Sequence, residues 1–529
     1  MTRMSGRRVT IMGVMAVLVA GCRGVPTSLA TAAATAVVTL ATAPAPAALV
    51  NPGFETPGSL AGWTSSGAGA AVSQASGGHS GQFGLSQRGS GGAFQARTAQ
   101  TLGGLADGWY TLRAWARTSS GAATAAIGLQ GCGGPDQQAA VPVAPAESWL
   151  QVIVSGEVKG GQCTVVLSTS GGAQNSASFD DVTFGPGRAA LSLLGADLSS
   201  LKKSIDKGGV YADEHGAPGD ALAILAAHGL NAVRLRVWVN PPDGYHDKAE
   251  LLDMARRLKA HGLQLLVDFH YSDSWADPGK QPKPAAWKDL SFVQLKQALY
   301  DHTFDVCSSL KAQGTPPDMV QIGNEINGGL LWLDGATAHW DNLAALLTAG
   351  YQAVKACSPA TRVMLHLAEG GNNGLFQSWF DQALARHVPF DLIGLSYYPY
   401  WHGTLAELQN NLNDVSARYD KDVVVVETAY PFTTQDKDGF GNIISANPAP
   451  GYDFTPAGQQ RFLADLMTIV RAVPNGRGLG LYYWEPAWTA VPGNGWDPAD
   501  SASGNGWENQ ALFDFENRAL PAMSVFQHP

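Results

Sequence analysis

Asp318-Met319-Val320-Gln321-Ile322-Gly323-Asn324-Glu325 and, further along, Val423-Val424-Val425-Val426-Glu427 are two apolar runs, each closed by a carboxylate. Their β-branched content favours strands. A charged residue at the end of a buried strand sits badly with packing alone, because an unpaired buried carboxylate is costly. Working outward, runs of the same kind recur at 191–197, 232–239, 264–271, 362–368, 392–398 and 479–484, which with 319–325 and 423–427 makes eight. Helical patterns fill the intervals, at 248–261, 292–312, 343–357, 376–385, 405–419 and 456–470. This alternation predicts an α/β chain built on a (β/α)8 TIM barrel. A doubly wound sheet is the alternative, but it leaves unexplained why so many strand ends carry polar or aromatic side chains.

Those ends are Arg234 and Arg236, His270, Asn324 and Glu325, His366, Tyr397 and Tyr398, Glu427, and Trp484 with Glu485. In a barrel they all face one mouth, where such folds build their sites. Two carboxylates there point to glycoside hydrolysis, one as acid/base and the other as nucleophile. Arg, His and Tyr beside a carboxylate keep it ionised and oriented, and Trp and Tyr offer flat faces to sugar rings. A lone strand-end His is more simply a satisfied core residue; so many polar ends together are not.

At 529 residues the chain is too long for one ordinary core, so two domains are expected. A formal net charge of −10, with no basic tract after the N-terminus, argues against a nucleic-acid partner. Residues 1–22 read as an export signal: Arg3, Arg7 and Arg8 precede a short apolar stretch at 11–20. The stretch is too short to span a bilayer. It ends Leu18-Val19-Ala20-Gly21-Cys22, which resembles a bacterial lipoprotein signal with lipid on Cys22. Cleavage near Ala43-Pro44-Ala45 or Ala47-Ala48 is the alternative. The expected location is secreted or on the outer surface, with membrane contact only through that lipid. Residues 23–48, rich in Ala, Thr and Pro, read as a linker. Residues 49–187 show alternating runs such as Tyr110-Thr111-Leu112-Arg113-Ala114-Trp115-Ala116-Arg117 between Gly/Ser turns, an all-β pattern. The barrel is expected over 191–529. Of the five cysteines, Cys22 stands apart and two fall in each domain. Cys132–Cys163 and Cys307–Cys357 are therefore the expected disulfides, with free buried thiols as the alternative.

Narrower motifs accompany Asn324-Glu325 and Glu427. They include Gly195-Ala196-Asp197-Leu198-Ser199, Val233-Arg234-Leu235-Arg236-Val237-Trp238-Val239-Asn240-Pro241, Asp268-Phe269-His270-Tyr271-Ser272-Asp273-Ser274-Trp275-Ala276-Asp277-Pro278 and Val426-Glu427-Thr428-Ala429-Tyr430-Pro431. With these motifs the chain resembles the arabinogalactan endo-β-1,4-galactanases, glycoside hydrolase family fifty-three, from about Gly195 to Phe526. The ends of the earlier segment are Leu49-Val50-Asn51-Pro52-Gly53-Phe54-Glu55 and Phe179-Asp180-Asp181-Val182-Thr183-Phe184. They resemble jelly-roll carbohydrate-binding modules, β-sandwiches in which the early Glu and late Asp share a structural calcium.

The first resemblance implies a retaining endo-hydrolase of β-1,4-galactan or arabinogalactan. Glu325 would be its acid/base and Glu427 its nucleophile, with the two carboxyls about 5–5.5 Å apart. It implies that Arg236, ahead of Arg234, supports Glu427, that Tyr398 hydrogen-bonds it, and that Asn324 binds the 2-hydroxyl at the cleavage point. His270, His366 and Trp484 would line the same subsite. Asp273, Trp275, Trp332, Trp401 and Trp488 would reach more distant sugars, packing within loops being the alternative for the tryptophans. In Asp436-Lys437-Asp438-Gly439-Phe440-Gly441-Asn442, oxygen ligands alternate around a glycine, which suits calcium. By the resemblance Asn505 and Glu508 complete the shell with Asp436, Asp438 and Asn442, although Phe440 offers only its carbonyl; a solvated acidic turn is the alternative. Such a calcium is structural, and no organic cofactor and a monomer are expected. Two other functions compete: a clan relative acting on mannan, xylan or arabinan, and a non-catalytic cell-surface polysaccharide-binding protein. The presence of both Glu325 and Glu427 argues against the second.

Overall fold

The computed structural model describes residues 48–119 and 123–527, so the export-signal reading, Cys22 and all but the last residue of the 23–48 stretch lie outside it. Between 64 and 186 the chain forms two five-stranded antiparallel sheets. The strand Gly108–Thr118 shows why: Tyr110, Leu112, Ala114 and Ala116 are buried, while the residues between them are partly open. The inward sets of both sheets, among them Leu85, Val152, Val165, Leu167 and Phe179, share one core. Cys132 and Cys163 are bonded beside it. Glu55 and Asp180 both cap backbone N–H groups of one turn. Glu55 accepts from Gln82 and Phe83, and Asp180 from His79 and Ser80.

The remainder is the barrel. Its strands are Leu193–Asp197, Ala232–Val237, Gln264–Phe269, Met319–Ile322, Arg362–Leu367, Leu392–Ser396, Asp422–Thr428 and Gly478–Trp484. All eight are parallel and closed: Gly195 pairs with Ala232 on one side and with Tyr482 on the other. Closure excludes the doubly wound alternative. The strands are buried on both faces, which is why they read as continuous apolar runs. Leu193, Leu266, Met319, Met364, Leu392, Val424 and Tyr482 fill the interior as a packed layer.

The fourth strand ends sooner than the sequence indicates, at Ile322. Gly323 turns the chain with φ +83°, where an added Cβ would lie 2.6 Å from Ile326 Cγ2. Asn324 and Glu325 are thereby lifted past the ladder toward the mouth.

The sandwich rests on two barrel helices, Leu405–Tyr419 and Pro456–Ala472. Gln151 and Gln409 exchange amide hydrogen bonds, 2.7 and 3.0 Å. Val143 N donates to Asp465 Oδ2, and Arg113 Nη1 donates to the Ala472 carbonyl. On the far flank, Cys307 and Cys357 join helices Phe292–Ala312 and Trp340–Cys357. The span they close, 50 residues, implies about 4 kcal/mol from restricting the unfolded chain. Replacing both by serine is expected to lower unfolding free energy by roughly that amount in denaturant titrations, with an m-value that rises as the unfolded chain expands. No loss of stability would show that the helix packing alone holds this flank.

Candidate active site

Arg234 stands at the centre of the barrel mouth, and all five of its N–H donors are engaged. Nη1 reaches Asp197 Oδ2 at 2.7 Å and Glu427 Oε1 at 2.9 Å. Nη2 reaches Asp268 Oδ2 at 2.9 Å and Asn324 Oδ1 at 2.8 Å, and Nε reaches Gln321 Oε1 at 3.2 Å. The side chain is wholly buried, which disfavours its charge, but the charges of Asp268, Glu427 and Asp197 more than offset this and raise its pKa. The sequence reading placed Arg236 in this role. That expectation is corrected: Arg236 pairs instead with Glu485 at the end of the eighth strand, and with Ser200 Oγ at 2.9 Å. Its guanidinium carbon sits 4.2 Å from the centre of the Trp275 ring. Arg236 therefore fixes an aromatic wall, not the carboxylate.

Glu427 also accepts from Tyr398 Oη at 3.1 Å. Burial pushes its carboxyl up, Arg234 and the Tyr398 hydroxyl oppose that, and Asp197 and Asp268 add to it. Glu325 has weaker support for its anion. It follows Gly323 in a left-handed backbone conformation, φ +47°, and its Oε1 accepts from Ser396 Oγ at 2.7 Å. Burial first, then the negative charge of Glu427, push its pKa up to about 8. The pair thus divides into a carboxylate clamped by a cation and a phenol, and a carboxyl that holds its proton.

Ser396, at the end of the sixth strand, carries no signal in the sequence. Behind it lies His366, fully buried and kept neutral by burial and by Arg234. Its Nδ1 receives Gln321 Nε2 at 2.9 Å and the Glu325 N–H at 3.3 Å, so Nε2 carries the proton and donates to Ser396 Oγ at 2.8 Å. His366 does not line the subsite as expected; it reaches Glu325 through Ser396.

The cleft above these groups has a volume of about 820 Å³. His270, Asn324, Tyr398, Trp275, Trp401, Trp484 and Trp488 line it, as expected from the sequence. Trp507 and Trp496 line it too and were not foreseen; they come from the long loop after the eighth strand. Trp484 and Trp507 meet edge to face, 4.8 Å between centres. Asp273 is absent from the lining. Its two oxygens accept the backbone N–H groups of Asn240 and Ala285, bracing a loop. Trp332 is also outside, its indole N–H donated to the Gly328 carbonyl.

Of the expected calcium ligands, Asp436, Asp438 and Glu508 bring oxygens within 4.8 Å of one another, the one such group of three among the described residues. Glu508 Oε2 is buried without a hydrogen-bond partner, as is Asn442 Oδ1 in the loop of Asp436 and Asp438, which suits oxygens kept for a cation. Asn505 fits less well: its side-chain oxygen accepts the Trp507 N–H at 3.0 Å. The same loop places Phe440 and Ile443 in the cleft wall.

The Ser396 hydrogen bond favours the ionised form of Glu325, so its removal raises the Glu325 pKa. In Ser396→Ala the Glu325 carboxyl, followed by NMR titration, is expected to lose its proton at higher pH than in the parent. A lower or unchanged midpoint would show that the hydroxyl does not donate to it.

Residues 193–526 match the family described as glycosyl hydrolase family 53. An arabinogalactan endo-beta-1,4-galactanase A of Aspergillus niger is 39% identical over 349 residues, 64% of this chain and 95% of that protein. An endo-beta-1,4-galactanase of Bacillus subtilis (strain 168) is 35% identical over 371 residues, 63% of this chain and 85% of that protein. The solved GH53 catalytic domain of Ignisphaera aggregans superposes with a TM-score of 0.62 at 41% identity, covering 64% of this chain and 96% of that domain. With its closed barrel and paired mouth carboxylates, the chain belongs to glycosyl hydrolase family 53.

Proposed function

We propose that this protein is a retaining endo-hydrolase of β-1,4-galactan, with Glu427 as nucleophile and Glu325 as acid/base. One observation carries the assignment of roles. Glu427 is held by Arg234 and Tyr398, whereas burial and then the charge of Glu427 keep a proton on Glu325. In the first step a Glu427 oxygen bonds to the anomeric carbon as the glycosidic C–O bond breaks, and the Glu325 proton passes to the departing oxygen. Esterification removes the Glu427 charge, so Glu325 becomes the stronger acid and stays ionised. In the second step Glu325 takes a proton from water, whose oxygen attacks the anomeric carbon and releases Glu427. By the family resemblance Asn324 would bind the sugar 2-hydroxyl, and the tryptophan wall the C–H faces of neighbouring rings.

Substrate and linkage are taken from the named relatives. The aromatic-rich cleft supports them, since its tryptophan faces suit sugar rings. The sandwich would keep the barrel near its polymer and raise its effective concentration. The sequence features of residues 1–22 support export, with lipid on Cys22 as the anchored form.

The test is release of reducing ends from linear β-1,4-galactan, with β-1,3-galactan and mannan in parallel. Short oligosaccharides should come from the first alone, initially with retained anomeric configuration. kcat/KM should fall at low pH as Glu427 is protonated and at high pH, near 8, as Glu325 loses its proton. Glu427→Ala should abolish turnover and spare polymer binding. Preference for mannan, or an active Glu427→Ala variant, overturns the reading.

Calcium on Asp436, Asp438, Asn442 and Glu508 would neutralise an acidic cluster and stiffen the loop carrying Phe440 and Ile443. Chelation is expected to lower the melting temperature and raise KM more than it lowers kcat, with calcium restoring both. Asp438→Ala should respond to neither. A melting temperature indifferent to chelator and calcium would remove the ion from the account.

A further inference from the structure

A second cleft, about 610 Å³, opens between the sandwich and the barrel. Three guanidinium side chains line it, Arg113 from the sandwich, Arg188 from the connecting segment and Arg471 from the barrel, and no acidic side chain does. Arg113 donates to the uncharged Ala472 carbonyl at 3.1 Å, and Arg188 lies over the Trp109 ring at 4.5 Å. Neither forms an ion pair among the described residues. Burial holds Arg113 below its ordinary pKa, and burial with the nearby charge of Arg188 pushes Arg471 down to about 10. Arg113 and Arg188 share the lining of this one cleft, and an oxyanion between two guanidinium forks is held by charge-assisted hydrogen bonds. Thr111, Thr183, Gln151 and Asn475 add hydroxyl and amide groups to the lining, and Phe184 adds an apolar surface. Gly478, which opens the eighth strand, also lines this cleft, so it lies at the end of the barrel opposite Glu325 and Glu427.

We propose that this cleft is an oxyanion-binding site, shaped for the carboxylate of an acidic saccharide or for a phosphate. Two planar forks, Arg113 and Arg188, come from separate parts of the chain, so an anion between them would also tie the connecting segment to the sandwich. The hydroxyls, the amides and the Phe184 surface suit a sugar ring bearing that carboxylate.

The test is calorimetric titration of the intact protein with digalacturonate, with inorganic phosphate and with uncharged galactobiose, each at low and high salt. The expected result is binding of an anion, weakened by salt, with no binding of galactobiose here. Arg188→Gln, an exposed position, should weaken that binding by roughly tenfold, the loss of one charge-assisted contact, while leaving turnover of neutral galactan unchanged. Tighter binding of digalacturonate assigns the site to acidic saccharides; binding of phosphate alone assigns it to phosphate. If neither anion binds, or both bind Arg188→Gln as well as the parent, the proposal is wrong. Arg113→Gln, checked by its melting curve for intact folding, should repeat the Arg188→Gln result from the sandwich side.

Discussion

Everything at the barrel mouth depends on one buried cation. Arg234 is surrounded by Asp197, Asp268 and Glu427, and by the side-chain oxygens of Asn324 and Gln321. Three carboxylates so close would not remain ionised together without it. Its planar fork also sets directions: each donor has one acceptor, so the positions of Glu427 and Asn324 are fixed relative to each other. Asp268 extends the network to His270, whose Nε2 lies 3.0 Å away, and Gln321 extends it to His366 and so through Ser396 to Glu325. Removing one partner would leave a buried charge uncompensated, which typically costs about 3–5 kcal/mol. The nucleophile and the proton donor are thus held by the same framework from opposite sides.

Much of this was legible in the chain. Eight apolar runs with polar ends yield the barrel, because a strand buried on both faces has no other reason to finish in Arg, His or Glu. Glu325 and Glu427 stood out for the same reason, and so could Asp197 and Asp268, which sit in equally apolar strands. The choice between Arg234 and Arg236 was not legible. Two positions apart on one strand, they point to the same side, and period-two patterning cannot separate them. Depth does: Arg234 reaches the axis, and Arg236 stays at the rim under Trp275.

Other misreadings have similar causes. His366 looked like a subsite residue because its strand ends at the mouth, but the Gly323 turn brings Glu325 in front of it. Asp273 has the spacing of a loop ligand, yet a carboxylate capping two backbone N–H groups leaves the same trace in sequence. Trp496 and Trp507 sit in a long loop without periodicity, where no pattern assigns a direction to a side chain. Ser396 is a small hydroxyl at the end of an apolar strand, and only its two hydrogen bonds reveal what it does.

The contrast between the Arg234 framework and the tryptophan wall bears on how such a molecule diverges. Within the framework every residue answers to several others, so a favourable change there needs simultaneous compensation and single-step paths are closed. Trp401 and Trp496 arise from loops and stay exposed at the rim of the cleft. They can be exchanged one at a time while the reaction continues. New preferences among glycans are therefore reached through the loops, and the chemistry is inherited intact.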